Sequence, residues 1–327
     1  ANMIIQQADF VLSLGARLGL QQTGFNWKSF VPNGKVWAMN IDSEELDKGH
    51  PEVERGIVGD SSVALRRLLQ IGKSKATWGH WADYCRSIWS RFPTNLENRP
   101  PTSGFVRPSW VVTQLTRYAD PDCVFVPSSS GTAEIAMMQN IEIRNNQRVL
   151  LNAGLASMGY ALPGAIGVAI ANPGRQVVCF EGDGSIAQSL SEFSMLKEKS
   201  LNLKVFVLAN RGYASIRATQ TRFTGGSYVG CDMESGLHLP AWARLAAAFE
   251  LPYCKISEES EQEFSEVLGR DGPELIELMA DPTVVLAPRV SSQLHNDGSM
   301  DSAPLHNMSP ELGDSDRRDH LKFINRV

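Results

Sequence analysis

Asp183 and Asn210 are the two side chains whose type and setting could hold a hard cation. Each follows an apolar run rich in β-branched residues. Gln176–Phe180 leads into Gly182-Asp183-Gly184-Ser185, and Lys204–Leu208 leads into Ala209-Asn210-Arg211-Gly212. A carboxylate and an amide oxygen are donors of the kind Mg²⁺ takes. The glycines let backbone N–H groups come close to an anion, and a helix opening at Ser185 turns its positive end toward the same place. The chemistry these residues suggest is a Mg²⁺–diphosphate site. The plain alternative is an ordinary βα turn with Asp183 as N-cap.

For the two turns to meet, their strands must be neighbours. The helix-period segment Ser185–Lys199 between the runs makes a strand–helix–strand unit, whose short crossover predicts two parallel strands in one sheet. Both turns then leave the carboxyl edge, where open α/β sheets bind ligands.

These residues also carry a resemblance. GDGS followed by Asn210 resembles the cofactor motif of thiamine-diphosphate enzymes. Gly154–Pro163, GLASMGYALP, looks like the GLGTMGFGLP of the acetolactate synthase branch, and PELIELMADPTVVLAPRV is similar to that branch too. The resemblance runs from about Ala8 to Leu312. It implies an α/β fold: a three-layer parallel-sheet diphosphate-binding domain preceded by half of a Rossmann-like middle domain.

The resemblance also implies roles. The metal falls on Asp183, Asn210 and Gly212. Thiamine diphosphate falls on Gly131, Thr132, Ala156, Ser157, Met158, Gly182, Gly184, Ser185, Tyr213 and Ala214. Met158 props the cofactor, and the Ala156 carbonyl accepts from its amino group where the family usually has Gly. The family's Gly-Gln-His-Gln turn is replaced by Pro127–Gly131 (PSSSG), with Thr132 standing in for a lost side-chain contact. Ser215, Ile216, Arg217 and Thr219 fall on the substrate. Ser215 stands where acetolactate synthases have Met, and Thr219 where they have Trp. Arg217 replaces an apolar residue and suggests a carboxylate or phosphate on the substrate; a surface helix Arg is the alternative. No catalytic residue is assigned. The activating Glu is expected in an N-terminal pyrimidine domain contributed by a partner subunit, so that a homodimer or tetramer shares the site. The implied activity is carboligation of a 2-keto acid; a decarboxylase, an oxidase or a non-catalytic partner subunit are the alternatives.

Four segments are expected. Residues 1–72 read as part of the middle domain, with strands Asp9–Leu14 and Lys35–Ile41 and an amphipathic Ser61–Leu69. The family's middle domain carries FAD, but GARLGLQQTG lacks the charged pair of the family's GARFDDR-like run, which weighs against FAD here. Residues 73–107 read as a helical linker whose Trp78, Trp81, Cys85 and Ile88/Trp89 form a packing stripe. Residues 108–290 are the main domain, opening with a helix capped by Ser109 and a strand Cys123–Val126. In it Gly154 and Gly159 are read as turning the backbone tightly. Residues 291–327, rich in Ser, Asp, Asn and Pro, read as an extended tail.

Bulk properties exclude little and agree with this. A net charge of −5 gives no sign of nucleic-acid binding. The most apolar run, Tyr160–Ala171, is too short to span a membrane and contains Pro163. Five scattered cysteines without a Cys-x-x-Cys pair suggest reduced thiols and a cytoplasmic setting. The chain opens on Ala1 and soon enters a strand, as a piece of a longer protein would.

Overall fold

A six-stranded, wholly parallel sheet organises the larger part of the chain. Its strands are β4 (Val124–Pro127), β5 (Arg148–Val149), β6 (Val177–Gly182), β7 (Leu203–Ala209), β8 (Tyr253–Ile256) and β9 (Glu274–Met279), in the order β5-β4-β6-β7-β9-β8. A preceding three-stranded parallel sheet has β1 (Phe10–Leu14), β2 (Lys35–Asn40) and β3 (Arg55–Val58) in sequence order. The computed structural model describes residues 1–71, 77–92, 100–129, 131–144, 146–197, 201–284, 286–290, 292–294 and 297–324. They divide into two units, Glu97–Leu286 and Ala1–Leu96 with Ala287–Val327.

In the larger unit the central strands are buried on both faces, as helices on both sides of a parallel sheet require. The strand period separates the two layers. Val178, Phe180, Phe206, Leu208 and Ile276 face helices Pro108–Tyr118, Gly131–Asn140 and Glu261–Leu268. Val177, Cys179, Val205, Val207 and Leu275 face helices Ala161–Ala171 and Trp242–Ala248. The connection from β4 to β5 runs through one layer and that from β5 to β6 through the other. β4 and β6, hydrogen-bonded from Val124↔Val177 to Pro127↔Phe180, therefore flank the point where the winding reverses.

The expected parallel pairing of β6 with β7 is present, from Val177↔Leu203 to Gly182↔Leu208. The segment between them differs in kind. A short α-helix, Asp183–Ile186, passes into 3₁₀ structure over Ala187–Lys197, with Ser189 out of helical range at φ −130°. Lys199 lies outside the described residues. The opening helix starts at Pro108 rather than being capped by Ser109. Proline has no N–H to leave unsatisfied at that position, and Glu259 binds both the Arg107 amide and its guanidinium.

In the smaller unit two expectations change. Helix Gly79–Arg91 is a packed part of the unit rather than a linker: Tyr84 and Ile88 pack with Met3, Trp81, Cys85 and Phe323. Trp78 and Trp89 are exposed, so only part of the expected stripe faces inward. The described residues within 291–327 are not a free extension either. Met308–Ser309 pairs antiparallel with Arg289–Val290, Ser292–Leu294 pairs antiparallel with Met300–Ser302, and Asp314–His320 is a helix. Buried Gln7 ties these pieces together, donating to the Met3 and His320 carbonyls at 2.8 Å and to the Tyr84 hydroxyl, and accepting from Phe323 N at 2.9 Å. Among the described residues no helix is long and apolar enough to cross a membrane.

Candidate metal and cofactor site

Three turns leave the carboxyl edge of adjacent strands β4, β6 and β7. Asp183, at the end of β6, is almost wholly buried. Its Oδ1 accepts from Gly184 N at 2.7 Å, and Gly212 N, beyond β7, reaches Oδ1 at 3.2 Å and Oδ2 at 3.1 Å. Burial pushes the carboxyl up to about 6. The N–H groups of Gly212, Gly184 and Arg211 and the charge of Arg217 pull the other way.

The Asn210 side chain closes the cluster. One atom at its amide end lies 3.2 Å from Asp183 Oδ1 and 2.9 Å from the Gly212 carbonyl, and with the nitrogen placed there both ends of the amide find hydrogen-bond partners. As nitrogen it donates to both oxygens; as oxygen it makes a three-oxygen cluster with them, an arrangement that requires a cation. Oxygens at adjacent corners of an octahedron with ~2.1 Å bonds lie about 3.0 Å apart, so the spacing suits an ion of Mg²⁺ size. The expected trio of Asp183, Asn210 and Gly212 is thus brought together. Among the described residues no three His, Cys, Asp or Glu side chains gather into a site of another kind.

Glycine is required at two of these positions. A Cβ on Gly184 would lie 2.6 Å from the Tyr213 ring. Gly212 has φ +115°, and a Cβ there would meet the Cys231 carbonyl at 2.4 Å. A Cβ on Gly182 would enter open space, leaving that backbone approachable.

Ser185 draws in the Gly154–Pro163 segment. Its hydroxyl accepts from Gly159 N at 2.9 Å and donates to Glu181 Oε1 at 2.7 Å. Within the segment, the tight turn rests on Gly159 (φ +75°), whereas Gly154 is not left-handed. Ala156 has φ +51°, a region costly for a residue with a Cβ, which is why glycine suits that position. Met158 lies beside it, its sulfur accepting from Gln188 Nε2 at 3.6 Å. The Ser-rich turn approaches from the other side: Gly131 starts helix Gly131–Asn140, with Ser215 Oγ 3.7 Å from where its Cβ would stand. Ser130 lies outside the described residues. Thr132 and Ala214 lie in the first turns of the helices that follow, and Ser157 lies in the Gly154–Pro163 segment; among the described residues none of the three has a side-chain hydrogen bond that fixes a role.

On helix Ala214–Thr224, Ser215, Ile216 and Thr219 are exposed, and among the described residues the Thr219 hydroxyl bonds only its own helix, at the Ser215 carbonyl. Arg217 is a correction. It is buried, and its guanidinium donates to the carbonyls of Asn210, Arg211, Cys231 and Pro282, so it is not displayed toward a substrate. Sequence reasoning also missed Ser129 and Glu181, each buried with one oxygen unpartnered. For Glu181 the signal was a charge within a run otherwise apolar. A polar cleft of about 460 Å³ at the opposite edge of the sheet has no such convergence; its Arg175 is spent on the Asp122 and Asn146 carbonyls.

Residues 129–278 match the thiamine pyrophosphate enzyme C-terminal TPP binding domain, and residues 1–68 match the central domain of the same enzymes. The chain belongs to the thiamine pyrophosphate enzyme family. It is 27% identical over 293 residues to the acetolactate synthase isozyme 1 large subunit of Escherichia coli, covering 88% of this chain and 50% of that protein. It is 29% identical over 275 residues to the acetolactate synthase large subunit of Parasynechococcus marenigrum, covering 83% and 42%. The chain thus spans about half the length of these relatives. In structure it resembles the thiamine diphosphate-dependent 4-hydroxybenzoylformate decarboxylase of Rhodococcus jostii RHA1, with a TM-score of 0.63 at 18% identity, over 84% of this chain and 49% of that one. As a member of the thiamine pyrophosphate enzymes, the chain has a fold that accounts for the convergence of its three turns.

Proposed function

We propose that this chain is the metal- and diphosphate-holding part of a thiamine-diphosphate-dependent carboligase similar to acetolactate synthase. The carrying observation is the convergence of the Asp183 carboxylate, the Asn210 amide end and the Gly212 carbonyl at the carboxyl edge. Asp183 supplies the negative charge that fixes Mg²⁺, and Asn210 and the Gly212 carbonyl complete its protein ligands. Gly182, Gly131 and Thr132 would hold the diphosphate, whose negative charge the ion would offset. Met158 and the Ala156 carbonyl orient the rest of the cofactor. When bound, thiamine diphosphate supplies the carbon nucleophile and electron sink for decarboxylating a 2-keto acid. The exposed Ser215, Ile216 and Thr219 line the acceptor side; with small groups at 215 and 219, that side admits a bulkier acceptor than an acetolactate synthase pocket does. The activating carboxylate comes from a pyrimidine-binding domain of a partner subunit in a dimer or tetramer.

The binding test is calorimetry. Asp183→Ala is expected to abolish Mg²⁺-dependent thiamine diphosphate binding with the fold retained; unchanged binding contradicts the site. The chemical test is product analysis of the full-length protein with 2-keto acids. An acyloin-type product supports carboligation, and a free aldehyde or acid replaces it with decarboxylation or oxidation.

A further inference from the structure

Arg217 is a buried cation that forms no ion pair among the described residues. Its Nη2 donates to the Asn210 carbonyl at 2.7 Å and the Pro282 carbonyl at 3.1 Å. Its Nη1 donates to the Arg211 carbonyl at 2.9 Å and the Cys231 carbonyl at 3.3 Å. Two of these four acceptors belong to the turn that carries Asn210 and Gly212.

That choice of acceptors has a geometric consequence. In a planar trans peptide the C=O and the following N–H point in opposite directions. The Asn210 carbonyl aimed at Arg217 therefore turns the Arg211 N–H the other way, and the Arg211 carbonyl does the same to the Gly212 N–H. Asp183 lies on that other side: Gly212 N reaches both its oxygens, and the Arg211 N–H also stabilises its charge. The turn would not hold this shape unaided, since Arg211 sits at φ +63° and Gly212 at φ +115°. Cys231 and Pro282, on separate loops, anchor the guanidinium from outside the turn.

Resting on the metal-site reading above, we propose that Arg217 is a positioning residue for the metal: by gripping two successive carbonyls it aims two N–H groups at Asp183 and so orients the carboxylate toward the ion. A planar fork with several donors can hold four carbonyls in fixed directions, whereas a lysine ammonium cannot.

The test is Mn²⁺ binding followed by electron paramagnetic resonance in the presence of thiamine diphosphate. It compares the wild type with Arg217→Lys, Arg217→Met and Asp183→Ala, with circular dichroism on each. Phe264→Leu, a core change in helix Glu261–Leu268, serves as a control for lost stability alone. Arg217→Lys and Arg217→Met are expected to weaken Mn²⁺ at least tenfold with secondary structure kept, while Phe264→Leu leaves the metal affinity unchanged. Wild-type Mn²⁺ affinity in both Arg217 variants, with Asp183→Ala still abolishing binding, overturns the positioning role alone. Unchanged binding in Asp183→Ala overturns the site reading itself.

Discussion

At the scale of single residues, Asp183 is a carboxylate kept where the bare protein gains least from it. Burying a charge with only N–H partners costs stability unless a counter-ion joins it. Asp183→Asn keeps an acceptor for Gly184 and Gly212 and removes the charge. In metal-free urea unfolding at pH 7.5 it should be more stable than the wild type, on the order of 1–3 kcal/mol, while losing Mg²⁺; a less stable variant contradicts the assignment. Glu134 gives a pH test away from the ligands. Burial raises its carboxyl from 4.5 to about 6. Its folded value lies above its unfolded one, so its contribution is complete below about 4.5 and is lost as the pH rises through about 6. Because the group is half exposed, the effect is discounted to about 1 kcal/mol. Glu134→Gln should therefore match the wild type at pH 4 and exceed it by that amount at pH 7.5 in the same measurement. Asp183 and Asn210 were legible because strand-end turns with glycine restrict what a polar side chain there can do. Arg217 was not, because its acceptors at Cys231 and Pro282 are distant in sequence and a helical arginine reads as a surface residue.

At the scale of elements, the site depends on how closely the β6 and β7 turns pack. Gly184 and Tyr213 meet across them with no room for a methyl group. Gly184→Ala should cost about 1–3 kcal/mol by overpacking. Adding Tyr213→Ala should relieve part of that loss, so that in a double-mutant cycle by urea unfolding the double variant costs less than the sum of the two singles; strict additivity would mean the turns do not press on each other. The strands themselves were readable to within a residue or two, since β6 and β7 are buried on both faces and so nearly continuous in apolar side chains. The 3₁₀ character of Ala187–Lys197 was not, because its hydrophobic pattern resembles that of an α-helix and the break at Ser189 is a backbone event. The tail was misread because its composition is polar while its anchors, Leu305 and the partners of Gln7, are few and non-local.

At the scale of the whole molecule, the two units match the central and C-terminal domains of one enzyme family, over about half the length of its acetolactate synthase relatives. Within the larger unit the two proposed ligands should act together, since an ion held by Asp183 and Asn210 would offset the charge of the diphosphate. Mass action then predicts a thermal midpoint raised by thiamine diphosphate with Mg²⁺ and far less by either alone; saturation at a hundred times Kd corresponds to about 2.7 kcal/mol. Equal shifts from thiamine diphosphate with and without Mg²⁺ would separate the cofactor from the metal. Alignment of β6 with β7 could be read from the strand–helix–strand pattern, but the reversal of winding between β4 and β6 required the sheet order. The most direct measurement is an anomalous difference map from crystals grown with Mn²⁺ and thiamine diphosphate. The account predicts a peak bonded to Asp183, the Asn210 amide oxygen and the Gly212 carbonyl. A map without density there, with the Asn210 nitrogen turned toward Asp183, would contradict it.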